Sequence, residues 1–136
     1  MTTIIYGFTG TRNGLNDNQK KQIIDLLKND LDNGKIIEVH HGDCIGADTD
    51  FHNICNNLSS NIKIIIHPPN IYTMRSFCKS NYIHQPKAYL DRNKNIVDSC
   101  NILIGCPMNE QEILRSGTWS TIRYAKKINK KVLLFV

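Results

Sequence analysis

Short apolar runs alternate with longer amphipathic stretches along this chain, and that alternation predicts its elements. Residues 3–8 are β-branched and aromatic and lead into Thr9-Gly10-Thr11, which predicts a first strand. Residues 16–31 carry apolar positions at Ile23, Ile24, Leu26, Leu27 and Leu31, a helical stripe stopped by Asn33-Gly34. A second strand is predicted at 36–40 and a second helix at 46–58, with Phe51, Ile54, Cys55 and Leu58 on one side. Residues 62–66 are apolar apart from Lys63 and read as a strand buried on both faces, ended by Pro68-Pro69. A helix is predicted at 89–99 with Leu90, Ile96 and Val97 inward, a fourth strand at 102–106, a helix at 117–128 and a fifth strand at 131–136. Between them, residues 70–86 show no clean period, and a long connection of this kind predicts a lid or side wall.

Regular alternation of strand and helix implies right-handed crossovers. The expected fold class is α/β: a Rossmann-like, doubly wound, mostly parallel sheet of about five strands, ordered 3-2-1-4-5, with helices on both faces. A length of 136 residues fits a single domain spanning 1–136, with no repeat or low-complexity linker. No run approaches ~18 consecutive apolar residues, so no membrane span is expected. The start of the chain lacks a basic stretch before its first apolar run, so no secretory signal is expected either. Five cysteines without CxxC or zinc-type spacing predict reduced thiols and a cytoplasmic setting. The net charge of +5 favours an anionic partner. Its lysines at 20, 21, 28, 126, 127, 130 and 131 are explained first as solvated helix faces.

Chemistry concentrates where predicted strands end. Arg115-Ser116-Gly117-Thr118-Trp119-Ser120-Thr121 opens the helix after the fourth strand. A helix start offers free N–H groups and the positive end of the dipole, which suits a phosphate. Gly117 allows close approach, and Ser116 and Thr118 add hydroxyls. The same theme occurs at Thr9-Gly10-Thr11-Arg12, where Arg12 can clamp an anion, and in His41-Gly42-Asp43-Cys44-Ile45-Gly46-Ala47-Asp48. Asp43 or Asp48 could hold a ribose hydroxyl, with helix capping as the plainer use of one of them. Arg92-Asn93 opens the helix before the fourth strand, within reach of a phosphate on the last loop. Glu110 and Glu112 are the carboxylates nearest that loop and the candidates for general acid–base work. Trp119 is expected in the core. No metal or cofactor is expected; a site built on His40, His41, Asp43 and His52 is the weaker explanation of those residues. GxxxxGK[ST] and Gly-x-Ser-x-Gly are absent.

These loops resemble those of the SLOG superfamily, named for Smf-type DNA-processing proteins and Lonely-guy phosphoribohydrolases. The likeness spans the chain except residues 68–87. Gly7-Phe8-Thr9-Gly10-Thr11-Arg12 is similar to the family's first-strand turn, and His41 to Asp48 to its Gly-rich loop after the second strand. Arg92-Asn93-Lys94-Asn95-Ile96 resembles the helix start where the phosphoribohydrolases keep a functional arginine. Ser116 to Thr121 resembles the terminal phosphate loop, with Arg115 or Ser116 in place of a first glycine. The resemblance implies a Rossmann-like fold, a nucleotide-type ligand and a homo-oligomer. It also implies a catalytic glutamate three residues after the threonine of the Gly-Thr turn, and this chain has Thr121 there, as the DNA-processing branch does. The expected function is therefore binding of a nucleotide or nucleotide-derived ligand, as a sensor, sequestering or carrier domain. Two alternatives stand beside it. A nucleoside-monophosphate hydrolase using Glu112 or Glu110 with Arg92 requires a glutamate in the cleft. Single-stranded nucleic-acid binding requires a continuous basic groove.

Overall fold

A computed structural model describes residues 2–136. Its sheet is built from β1 (Thr3–Gly10), β2 (Ile36–His41), β3 (Lys63–Ile66), β4 (Tyr82–Ile83), β5 (Ile102–Cys106) and β6 (Lys131–Leu134). The helices are α1 (Asp17–Asp32), α2 (Ala47–Leu58), α3 (Tyr89–Ser99) and α4 (Gly117–Lys127), with one 3-10 turn at Tyr72–Met74. The strand order is β4-β3-β2-β1-β5-β6, and every pairing is parallel. The five longer strands follow the expected order. The sixth, β4, adds to the edge of β3, and two residues are too short to carry a period.

Helix ends follow local chemistry. The side chain of Asn16 accepts the Gln19 N–H at 2.7 Å while Gln19 Oε1 accepts the Asn16 N–H at 3.0 Å, a capping box that starts α1. Ser116 Oγ accepts the Trp119 N–H at 3.3 Å and starts α4.

The sheet separates two cores. Tyr6 and Phe8 of β1 pack with α1 and α2, and Phe8 stacks on Phe51 at 4.2 Å between ring centroids. On the other face Ile5 meets Val97, Leu103, Trp119 and Ile122 from β5, α3 and α4. Trp119 is buried in that second core, as its place in the pattern suggests. Gly7 lets α3 sit close on β1: a Cβ there would lie 2.9 Å from Cys100 Sγ and 3.1 Å from Ile96 Cγ2. Leu90, expected inward, is 59% exposed and faces the site instead. Among the described residues no helix is long and apolar enough to cross a membrane.

The winding reverses between β1 and β5, whose C-terminal ends are neighbours through Gly10 and Cys106. Loops leaving adjacent strands in opposite directions open a crevice at such a switch point, where open α/β sheets bind their ligands.

Candidate functional site

Two loops are stitched together at the end of β1. The Ala47 N–H donates to the Thr11 carbonyl at 2.9 Å. Gly46 has φ +108, and a Cβ there would lie 2.3 Å from the Arg12 carbonyl oxygen. The β1–α1 loop therefore rests on the β2–α2 loop with no space between them.

Opposite lies the start of α4. Ser116 caps Trp119, while the Gly117 and Thr118 N–H groups make no hydrogen bond among the described residues, as the first amides of a helix do, and both residues line the cleft. Between these walls is an open cleft of about 880 Å³ that brings together Gly10, Thr11, Arg12, Arg115, Ser116, Gly117 and Thr118. Arg12 and Arg115 are its only charged lining residues among those described, and neither has a salt-bridge partner.

A narrow recess beneath it, about 40 Å³, takes in Thr9, Gly42, Asp48, Arg92 and Asn93. Arg92 is 3% exposed. Its Nη1 donates to the carbonyls of Gly42 and, at 3.2 Å, His67; its Nε donates to Asn93 Oδ1 at 2.8 Å. It thus braces the ends of β2 and β3. Asp48 Oδ2 accepts the Cys44 N–H at 3.1 Å, and burial raises its carboxyl to about 6 against the pull of Arg92.

Four further candidates line neither cavity with a reactive group. Asp43 is fully buried with φ +56; Arg75 Nε donates to its Oδ2 at 2.7 Å and the Cys78 N–H to its Oδ1 at 2.9 Å. Its carbonyl accepts the Ser76 N–H at 2.7 Å, so it buckles the 70–79 segment onto the β2–α2 loop. Thr121 Oγ1 donates to the Gly117 carbonyl at 2.9 Å, inside α4. Glu110 is exposed, and exposed Glu112 accepts Arg123 Nη1 at 2.8 Å.

The cleft also holds residues that the loop motifs did not single out. The 70–86 connection contributes Ile71 and Met74 as a side wall, and Met108, Ile113 and Leu114 face them from the β5–α4 loop. A cluster of large apolar residues in otherwise polar loops was their only signal. Tyr89 is a contact of another kind: its Oη occupies the place where a Gly117 side chain would begin.

The histidines are used by one another. The Asp43 N–H donates to His41 Nδ1 at 3.0 Å, so His41 carries its proton on Nε2 and donates it to His52 Nδ1 at 2.9 Å. Cys78 completes a trio of metal-type donors with this pair. Yet the lone pair that a metal would need on His41 Nε2 is replaced by that proton. Burial lowers His41, His40 and His52 below the ordinary histidine value and brings His67 down to about 3.

This set predicts acid sensitivity. A histidine kept neutral in the fold gains a proton only on unfolding, so stability is full above about pH 6.5 and falls below it. Asp48, raised to about 6, works the other way, since its folded form takes up a proton first. Four histidines outweigh one aspartate. Urea denaturation is expected to show a loss of at least about 2 kcal/mol between pH 7 and pH 5. A flat profile over that interval contradicts the assignment of neutral imidazoles.

No family model matches the chain, and no curated protein matches it in sequence. Solved structures do match. The molybdenum cofactor binding protein from Rippkaea orientalis superposes with a TM-score of 0.72 at 19% identity, over 98% of this chain and 77% of that one. Two structures of the molybdenum cofactor carrier protein from Chlamydomonas reinhardtii give 0.61 and 0.59 at 18% and 22% identity, over 96% and 97% of this chain and 76% and 75% of theirs. These similarities show a shared α/β Rossmann-like fold, one compatible with the SLOG type.

Proposed function

We propose that this protein binds a phosphorylated, nucleotide-derived ligand in the cleft between β1 and α4 and holds it intact, as a carrier or sensor domain does. The observation that carries this reading is the meeting of the open Gly117 and Thr118 amides with unpaired Arg12 and Arg115 in one cleft. The amides and the dipole of α4 suit a phosphate, and the two guanidinium groups neutralise it. Gly10 and Thr11 form the opposite rim. Arg92 and Asp48 support the floor from below.

The structural neighbours support the same direction. They are named as proteins that bind or carry the molybdenum cofactor, a small-molecule cargo. A cleft of this volume lies in the range that holds a ligand of about mononucleotide size.

Turnover by N-glycosidic cleavage needs a carboxylate at the bond, and Glu110 and Glu112 face solvent instead. Incubation with a panel of nucleotides and nucleotide-derived ligands, followed by thermal shift and mass spectrometry, tests the reading. Stabilisation with the ligand recovered intact is expected; release of free base, lost in Glu112→Gln or Glu110→Gln, overturns it. Arg115→Ala is expected to weaken binding about tenfold. The unliganded stability of that variant should stay within about 0.5 kcal/mol, because Arg115 is exposed. Unchanged affinity in Arg115→Ala contradicts its role at the phosphate.

A further inference from the structure

The geometry points to a ligand recognised through a planar heterocycle and its phosphate, with no recognition of a ribose diol. This rests on the phosphate-binding reading above and narrows it. In dinucleotide sites of this fold the ribose is held through a carboxylate, the strongest acceptor a protein offers a sugar, which accepts from its 2′-hydroxyl. Among the described residues no Asp or Glu lines the large cleft. The carboxylates that the sequence offers for that task are engaged elsewhere. Asp43 has both oxygens occupied by Arg75 and Cys78 and is fully buried. Asp48 sits in the lower recess of about 40 Å³, a space for a water and not for a sugar ring.

What the cleft offers instead is apolar surface and carboxamides. Ile71 and Met74 come from one loop, Ile113 and Leu114 from another, and Leu114 is 82% exposed. Apolar side chains this open, gathered around one cleft, mark a surface awaiting an apolar ring face. Asn109 and Gln111 lie beside them. Asn109 Oδ1 accepts the Gln111 N–H at 2.9 Å, which leaves the Asn109 NH₂ and the whole Gln111 amide for a ligand. An amide presents a donor and an acceptor together, which matches the mixed edge of a nitrogen heterocycle.

Calorimetric titration with FMN, riboflavin, AMP and 2′,3′-dideoxy-AMP tests this. FMN is expected to bind about tenfold or more tighter than riboflavin. AMP and its dideoxy analogue are expected to agree within about threefold, because no charged acceptor meets the diol. AMP binding about tenfold tighter than the dideoxy compound overturns the inference and leaves phosphate binding standing. Equal binding of riboflavin and FMN, or no binding by any phosphorylated probe, overturns the phosphate reading and this inference with it. Gln111→Ala with Asn109→Ala, both on an exposed loop, should weaken FMN while leaving inorganic pyrophosphate unchanged. Unaltered FMN affinity in that variant also overturns the ring-edge contact.

Discussion

Asp43→Ala is expected to lower stability by about 3 kcal/mol, with the loss read as a shift of the urea midpoint at constant m. Asp43 is buried and ion-paired, and it joins segments more than thirty residues apart: Arg75 Nε and the Cys78 N–H both donate to its carboxylate. Removing the carboxylate strands a guanidinium that is itself mostly covered, with 18% of its side chain exposed. It also leaves the Cys78 amide without its acceptor. The effect should reach the cleft, because the same segment holds the Ile45 N–H through the Met74 carbonyl at 3.2 Å and carries Met74 into the wall. Asp43→Asn should cost less, since asparagine also tolerates the left-handed φ of +56 and can still accept one bond. A loss in Asp43→Ala below about 1 kcal/mol, the range of an exposed pair, contradicts the buckle.

Gly46→Ala carries the second large effect. Its φ of +108 lies where only glycine is comfortable, and its Cβ would fall 2.3 Å from the Arg12 carbonyl oxygen and 2.7 Å from Arg12 Cα. Backbone, unlike the tip of a side chain, has little room to yield. Strain and clash together should cost about 3 kcal/mol or more, and ligand affinity should fall because the displaced backbone carries Thr11 and Arg12. Gly34→Ala is the control: φ is +75 there, but nothing lies within 4 Å. It should cost about 1 kcal/mol, from strain alone, and leave binding untouched. Equal losses in the two variants contradict the close approach of the loops.

The comparison of Gly46 and Asp43 shows what the sequence could and could not reveal. Elements with a period were legible: α3 and β5 have the bounds that their apolar spacing predicts, and the order of the five longer strands follows from alternation and handedness. So was the meeting of the first and last glycine loops, because a switch point places them side by side. The individual duties of the polar residues were not. Whether Asp43 faces a ligand or a protein guanidinium depends on Arg75, and whether Arg92 meets a phosphate or the Gly42 carbonyl depends on a residue fifty positions away. Only tertiary structure decides such pairings. The 70–86 connection was legible as a side wall from its length, but the apolar residues facing it were not: Ile113 and Leu114 sit in a loop without periodicity, and exposure is not written into a side chain's identity. Leu90 shows the same effect within a helix, where its stripe position pointed to the core and its place at the sheet edge turned it to the cleft.

The structural neighbours share the Rossmann-like fold, and the departure at Thr121 fits the phosphate binding proposed for this protein. A hydroxyl that donates to the Gly117 carbonyl steadies the first turn of α4, where the open amides begin. It supplies no base.

The most direct measurement is amide NMR of the ¹⁵N-labelled protein during titration with FMN and with AMP. The Gly117 and Thr118 amide resonances should move first and furthest, joined by Gly10 and Thr11, while the ligand remains chemically intact. Saturable binding that leaves the Gly117 and Thr118 amides unmoved would contradict phosphate binding at the start of α4.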